Sequence, residues 1–282
     1  MAVSISNAFV TLFDSEVKQA YQGQRALAGL TRERTVEGST VKFPKIGKGT
    51  ASIRVPQTDV TPMSVTYSQV TATMEDYIAA EYSDIFNQAK VNFQDRAELV
   101  QVVSGAIGRR MDQVVIDALV AASGTNTVAN SVGGSNTNLN VAKLRAAKKA
   151  MDAKNVPAEG RCILAHANNM DGLLAETEVT SSDFNSVKAL VTGDLTGGNT
   201  FLGFRFVSIG DRDEGGLAID SSNDRIVYAF HKDAMGLGIG MGQQSRVDYI
   251  PEKTSFLVAS MFSAGSVAID PDGITKITCR ES

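Results

Sequence analysis

The chain has 282 residues, 43% of them hydrophobic, which is enough for one or two domains with a substantial core. Its formal charge of −4 gives no general attraction to nucleic acid. Two cysteines far apart, Cys162 and Cys279, in no CxxC pattern exclude a disulfide scaffold and fit a reducing compartment.

The N-terminus, MAVSISNAFVTLFDSEV, lacks the basic start and long apolar core of a secretory signal, and no stretch is long and apolar enough to span a membrane. The charge is uneven. Residues 1–54 carry eight basic side chains against four acids, a surplus of +4, so the remainder carries −8. A basic arm on an acidic body suits an arm that lies on a neighbouring copy; a solvated charged end is the plain alternative. Residues 2–30 read as a mildly amphipathic arm, with Phe9, Leu12, Phe13, Val17 and Tyr21 fitting a short helix and Leu27 and Leu30 following.

Residues 35–75 are rich in Thr and Val, alternating at Val41, Phe43 and at Ile53, Val55, which predicts strand, turn, strand. Gly47-Lys48-Gly49 is the expected tip of the first turn, and Pro56 and Pro62 interrupt the return. A ribbon so poor in large apolar residues does not stabilise itself. It packs on its own domain or projects to another subunit, and Lys42, Lys45, Lys48 and Arg54 favour projection, with acids on the neighbour as their partners. Residues 76–91 read as a short connecting segment.

The longest element is Asn92 to Gly124. Val100, Val103, Ile107, Met111, Val114 and Ala118 recur every three or four residues on one helical face. Asn92 suits an N-cap, Asp95 and Glu98 the first turns, and Gly124 the C-terminal stop. About 30 helical residues at ~1.5 Å each give roughly 45 Å, well beyond the usual globular helix. Arg96, Glu98, Arg109, Arg110, Asp112 and Asp117 exclude a membrane span. Gly105 and Gly108 interrupt any coiled-coil seam and suit close approach by another segment. The reading is a spine helix across a flat, elongated domain.

Residues 125–140 form a polar loop. A second helix covers 140–154, closed by Asn155-Val156-Pro157; RCILAH is a buried strand and ANNMDGLLAET a third helix. Residues 179–200 are loop. FLGFRFVSIG and RIVYAFHKDAMGLGIG are strands, and 245–278 adds more, with a turn at Asp270-Pro271-Asp272-Gly273. A long helix between the strands makes the fold α+β rather than βαβ.

Chemistry is sparse. His166 and His231 are the only histidines and lie in no HExxH or GxSxG setting. GLGIGMG lacks the GK[ST] of a phosphate loop and reads as small residues where backbones approach. GDRDEGG lacks calcium-ligand spacing and reads as an exposed turn. No catalytic, cofactor or metal site is assigned.

The order of elements is more specific. LTGGNTFLGFRFVSIG, then IVYAFHKDAMGLGIG, then SAGSVAIDPDGITKIT resemble the C-terminal half of tailed-phage major capsid proteins, the Hong Kong 97 fold. In that family a glycine-containing link leads into strands, one strand ends in a turn, and the last strand follows a proline. The resemblance implies an N-arm (1–34), an E-loop hairpin (35–75), a P-domain with the spine helix (76–125) and the closing strands (251–282), and an axial A-domain (126–250). It implies a structural protein, not an enzyme, that assembles with itself into pentamers and hexamers of an icosahedral head around double-stranded DNA. Portal and scaffolding proteins are the implied partners, with scaffolding a separate chain or dispensable, and no membrane is involved. The implied location is the virion, after assembly in the bacterial cytoplasm. Some relatives crosslink a Lys of this ribbon to an Asn, but no motif carries that role to Lys45 or Lys48. An encapsulin-type compartment shell shares the fold and is the alternative, with a small hydrolase or nucleotide-binding enzyme behind it.

Overall fold

The computed structural model describes residues 24–60, 62–85, 95–176 and 200–281. The expected arm helix, the Asn92 cap and the loop over 179–199 lie outside them. Among the described residues, three helices and eleven strands form two main sheets and a ribbon.

Helix α1 is Asp95–Ala121, 27 residues, about 40 Å at ~1.5 Å per residue. The expected face is present: Val103, Ile107, Met111 and Val114 are buried. The helix is also more enclosed than one stripe requires, since Met111, Asp112, Gln113, Val114, Val115 and Ile116 are buried in succession. A single-face pattern underestimates this stretch, which is covered on several sides before the last turn opens again at Asp117, Val120 and Ala121. Gly124 adopts φ +71 just beyond the helix. Lys276 Nζ donates to the Val120 and Ala122 carbonyls, 2.9 and 2.7 Å, which no intrahelical donor reaches.

The first sheet has the order β1 (Arg32–Thr35), β9 (Met235–Ile250), β10 (Ser255–Ala268), β4 (Glu75–Asp84). β1 runs parallel to β9; the other pairs are antiparallel. The segment expected to be a connector is thus the ten-residue strand β4. EDYIAAEYSD has weak strand propensity, and its state is imposed by ten consecutive partners on β10.

The second sheet has the order β5 (Asn126–Val128), β11 (Ile274–Arg280), β8 (Asp224–His231), β6 (Arg161–His166), β7 (Arg205–Ile209). Both faces are covered. On β6, Cys162 and Leu164 enter the core shared with α1, while Ile163 and Ala165 enter a second core under helix α2 (Val141–Ala153) and helix α3 (Ala167–Leu174). Strand residues alternate faces, so a continuous apolar run is what a doubly covered strand needs. α2 starts as expected, with the Asn140 side chain accepting from Lys143 N–H at 2.8 Å.

Three expectations change locally. The polar loop contains β5, held parallel to β11. The segment FLGF is a tight turn bridging Phe201 and Phe204 before β7 begins. The run through GLGIGMG is two strands, β8 and β9, separated by a short turn at Lys232–Ala234.

Candidate assembly surface

The ribbon is β2 (Thr40–Ile46) paired antiparallel with β3 (Tyr67–Thr73). Its root is built by two matching periods of two. Val41 and Phe43, 2% and 0% exposed, point to one face of β2. Gly236, Gly238 and Gly240 share one face of β9. A Cβ on Gly236 would come within 2.7 Å of the Phe43 ring, and one on Gly238 within 2.5 Å of Val41. A side chain there would force Phe43 or Val41 to shift, so GLGIGMG is a groove for the ribbon and not a phosphate loop. Val41, Phe43, Ala72 and Ile269 form a small core of their own there.

Beyond Ile46 the ribbon leaves this support. Gly47-Lys48-Gly49 is not the tip: Gly47 N–H donates to Thr66 O at 2.8 Å, so pairing continues past it, and the return strand is Tyr67–Thr73 rather than the stretch around Ile53 and Val55. Of the described residues over 47–66, all but the half-buried Gly47 and Val65 are exposed. Ile53 is 95% exposed and Val60 84%, with Val55, Met63, Ile46 and Tyr67 also open.

The basic residues expected to meet a neighbour divide. Lys45 Nζ lies 2.8 Å from Asp270 and Lys48 Nζ 3.8 Å from Asp272, both acids of the same chain. Lys42 and Arg54 are exposed and form no ion pair among the described residues. The acidic turn Asp270–Gly273 thus sits where the ribbon leaves the body.

A second polar cluster gave no sequence signal. Asp112, on the buried side of α1, accepts from the backbone N–H of Ala26 (2.7 Å) and Leu27 (3.0 Å) and from Arg212 Nη1 (2.9 Å). One turn away, Arg109 Nε donates to both oxygens of Glu214, and Gln113 Oε1 accepts from Gly216 N–H. GDRDEGG is therefore no simple exposed turn: Asp211 is open, but Arg212 and Glu214 fasten it to the helix. The partners of Asp112 lie 85 to 100 residues away, beyond any local pattern.

Both histidines have local structural duties. His166 Nδ1 accepts from Asn168 N–H at the start of α3, and His231 Nδ1 from Asp233 N–H at the turn after β8. His166 also borders an ion-pair group in which Arg225 binds Glu281 at 2.6 Å. Burial pushes both thiols up, that of Cys279 to about 12, so neither is a ready nucleophile.

The arrangement braces a long helix and holds out an apolar ribbon. No curated protein matches the sequence. The capsid of cyanophage P-SCSP1u is similar in structure at 18% identity, TM-score 0.75, covering 100% of this chain and 96% of that one. The corresponding chain of Mycobacterium phage Che8 gives 17% identity and TM-score 0.69, covering 95% and 96%. The head of Helicobacter pylori bacteriophage KHP40 gives 12% identity and TM-score 0.73, covering 100% and 98%. These likenesses establish a Hong Kong 97-like fold. The family model described as phage capsid protein matches residues 5–281. The chain therefore belongs to the phage capsid protein family and is a major capsid protein of a tailed phage.

Proposed function

We propose that this subunit closes into pentamers and hexamers of an icosahedral head around double-stranded DNA, through contacts its own body leaves unmade. One observation carries the reading. The excursion over 47–66 exposes Ile53, Val55, Val60 and Met63 together, on a segment whose root is as well packed as a core. A soluble monomer gains nothing from such a patch; a subunit buries it on a neighbour.

In this reading the ribbon is the E-loop (35–75), following an N-arm (1–34). The spine helix with its preceding strand (76–125) and the last strands (251–282) form the peripheral region, and 126–250 the axial one. Lys42 and Arg54 meet acids on the adjacent copy. Lys45 and Lys48 join them there or remain with Asp270 and Asp272 at the ribbon's root. The acidic remainder of the chain supplies partners and keeps the shell from binding DNA tightly. Portal and scaffolding proteins complete the head in the bacterial cytoplasm, and the product resides in the virion.

The test is electron microscopy and sedimentation of the overexpressed chain, with and without its scaffolding protein, beside the variant Lys42→Glu/Arg54→Glu. Rings or closed shells from the native chain, lost in a folded variant, are the expected result. Normal shells from the variant would remove these two residues from the interface. A native chain that stays monomeric with scaffold present would overturn the reading itself.

A further inference from the structure

Among the described residues, the arm meets α1 beside two residues one helical turn apart. Gly108 and Asp112 are four positions apart and share a face. At Gly108 the arm passes alongside the helix: a Cβ there would make ordinary contact, 3.5 Å from Arg25 Cβ and 3.7 Å from Arg25 N, so only a longer side chain would push against the arm. At Asp112 the next two amides of the arm are taken: Ala26 N–H on Oδ2 and Leu27 N–H on Oδ1. The Asp112 side chain is fully enclosed, and the Arg212 guanidinium, 5% exposed, neutralises it while also donating to Gln24 O at 3.3 Å. Two adjacent N–H groups on the two oxygens of one enclosed carboxylate fix the direction of the chain as well as its position. Charge-assisted bonds of this kind are roughly twice as strong as neutral ones.

We propose that Asp112 is the positioning residue of the N-terminal arm. It fixes the position and direction of the chain over residues 24–27, and assembly with a second copy depends on that placement. Gly108 keeps the helix surface low beside Arg25, and Arg212 pairs with the carboxylate where both side chains are enclosed. The claim about the anchor stands on this geometry alone; the claim about the second copy rests on the shell reading above.

The experiment uses the full chain. Tryptic cleavage after Arg25 is timed by mass spectrometry in the native protein, Asp112→Asn, Arg212→Gln and Gly108→Leu, with circular dichroism to verify the body and sedimentation to follow assembly. Asp112→Asn speeds cleavage after Arg25 about tenfold or more, the scale expected when bonds to a charged acceptor are removed from a locally opening segment. Arg212→Gln has a smaller effect, since both arm amides keep their acceptor. Gly108→Leu leaves the carboxylate intact but lifts the arm, and it tests the same crossing should Asp112→Asn fail to fold. Cleavage at the native rate in folded Asp112→Asn, or in Gly108→Leu, overturns the anchor. Faster cleavage with unchanged shell yield keeps the anchor and overturns the dependence of assembly on it.

Discussion

The root and the far part of the ribbon belong to one hairpin, yet they obey opposite rules. At the root, Phe43 is fully buried against a glycine-lined strand; ten residues on, Ile53 is 95% exposed. The root completes itself within one chain. The far part exposes its apolar side chains among the described residues, and in the proposed shell a neighbour covers them. Apolar surface therefore serves two separate purposes here, and substitutions should tell them apart.

The largest effect should come at the root. Phe43→Ala empties the space above Gly236 and should cost about 3–5 kcal/mol of subunit stability, measured by denaturant unfolding. Gly236→Val attacks the same contact from the other side and should cost roughly 1–3 kcal/mol through overpacking. A loss under about 1 kcal/mol in both would mean the root is no better supported than the tip. Next, Ile53→Asp/Val60→Asp should change subunit stability by no more than ~0.5 kcal/mol, as an exposed position allows, while abolishing shells in sedimentation. A large drop in subunit stability would place these residues in an intramolecular contact and erase the contrast. Smaller again, a double-mutant cycle on Lys45 and Asp270 should return ~0–1 kcal/mol, shrinking with added salt, because both side chains are about one-third exposed. The least perturbing probe is a thiol. With Cys162 and Cys279 buried and their thiols pushed up, the native subunit should resist labelling at pH 8 until unfolded. Ile53→Cys should then label quickly in free subunits and slowly in shells, whereas Val41→Cys should label slowly in both.

Much of the framework was legible because it follows from local periodicity. The three-and-four spacing from Val103 to Val114 marks a helix, and the period of two at Val41 and Phe43 marks the buried face of β2. What escaped depends on distant partners. β4 is a strand because β10 pairs with it, although Glu75, Asp76 and Glu81 argue for a solvated connector. Gly47 and Gly49 resemble a turn, but in the folded ribbon they leave space for Thr66 and Met63 on the returning chain. Of the candidate surface, Lys42 and Arg54 were expected to be exposed and are. That Lys45 and Lys48 reach Asp270 and Asp272 required knowing which turn lies under the ribbon. Asp112 counts in the sequence only as one of the charges that exclude a membrane span, and Gln113 carries no signal. Only the arm and the 210–217 loop, both remote in sequence, turn these two residues inward.

One pairing has a consequence in time. β1 lies parallel to β9, with Arg32 opposite Gly236 and Thr35 opposite Ile239, roughly 200 residues later in the chain. A ribosome adding ~5–20 residues per second takes on the order of 10–40 s to make that interval. Throughout it, the arm has no strand to join. The last long strands of the subunit thus decide when its first one docks, and a truncated chain ending before β9 leaves β1 without its partner strand. Completion of synthesis becomes a condition for offering a finished subunit to a growing head, a check on quality that needs no separate factor.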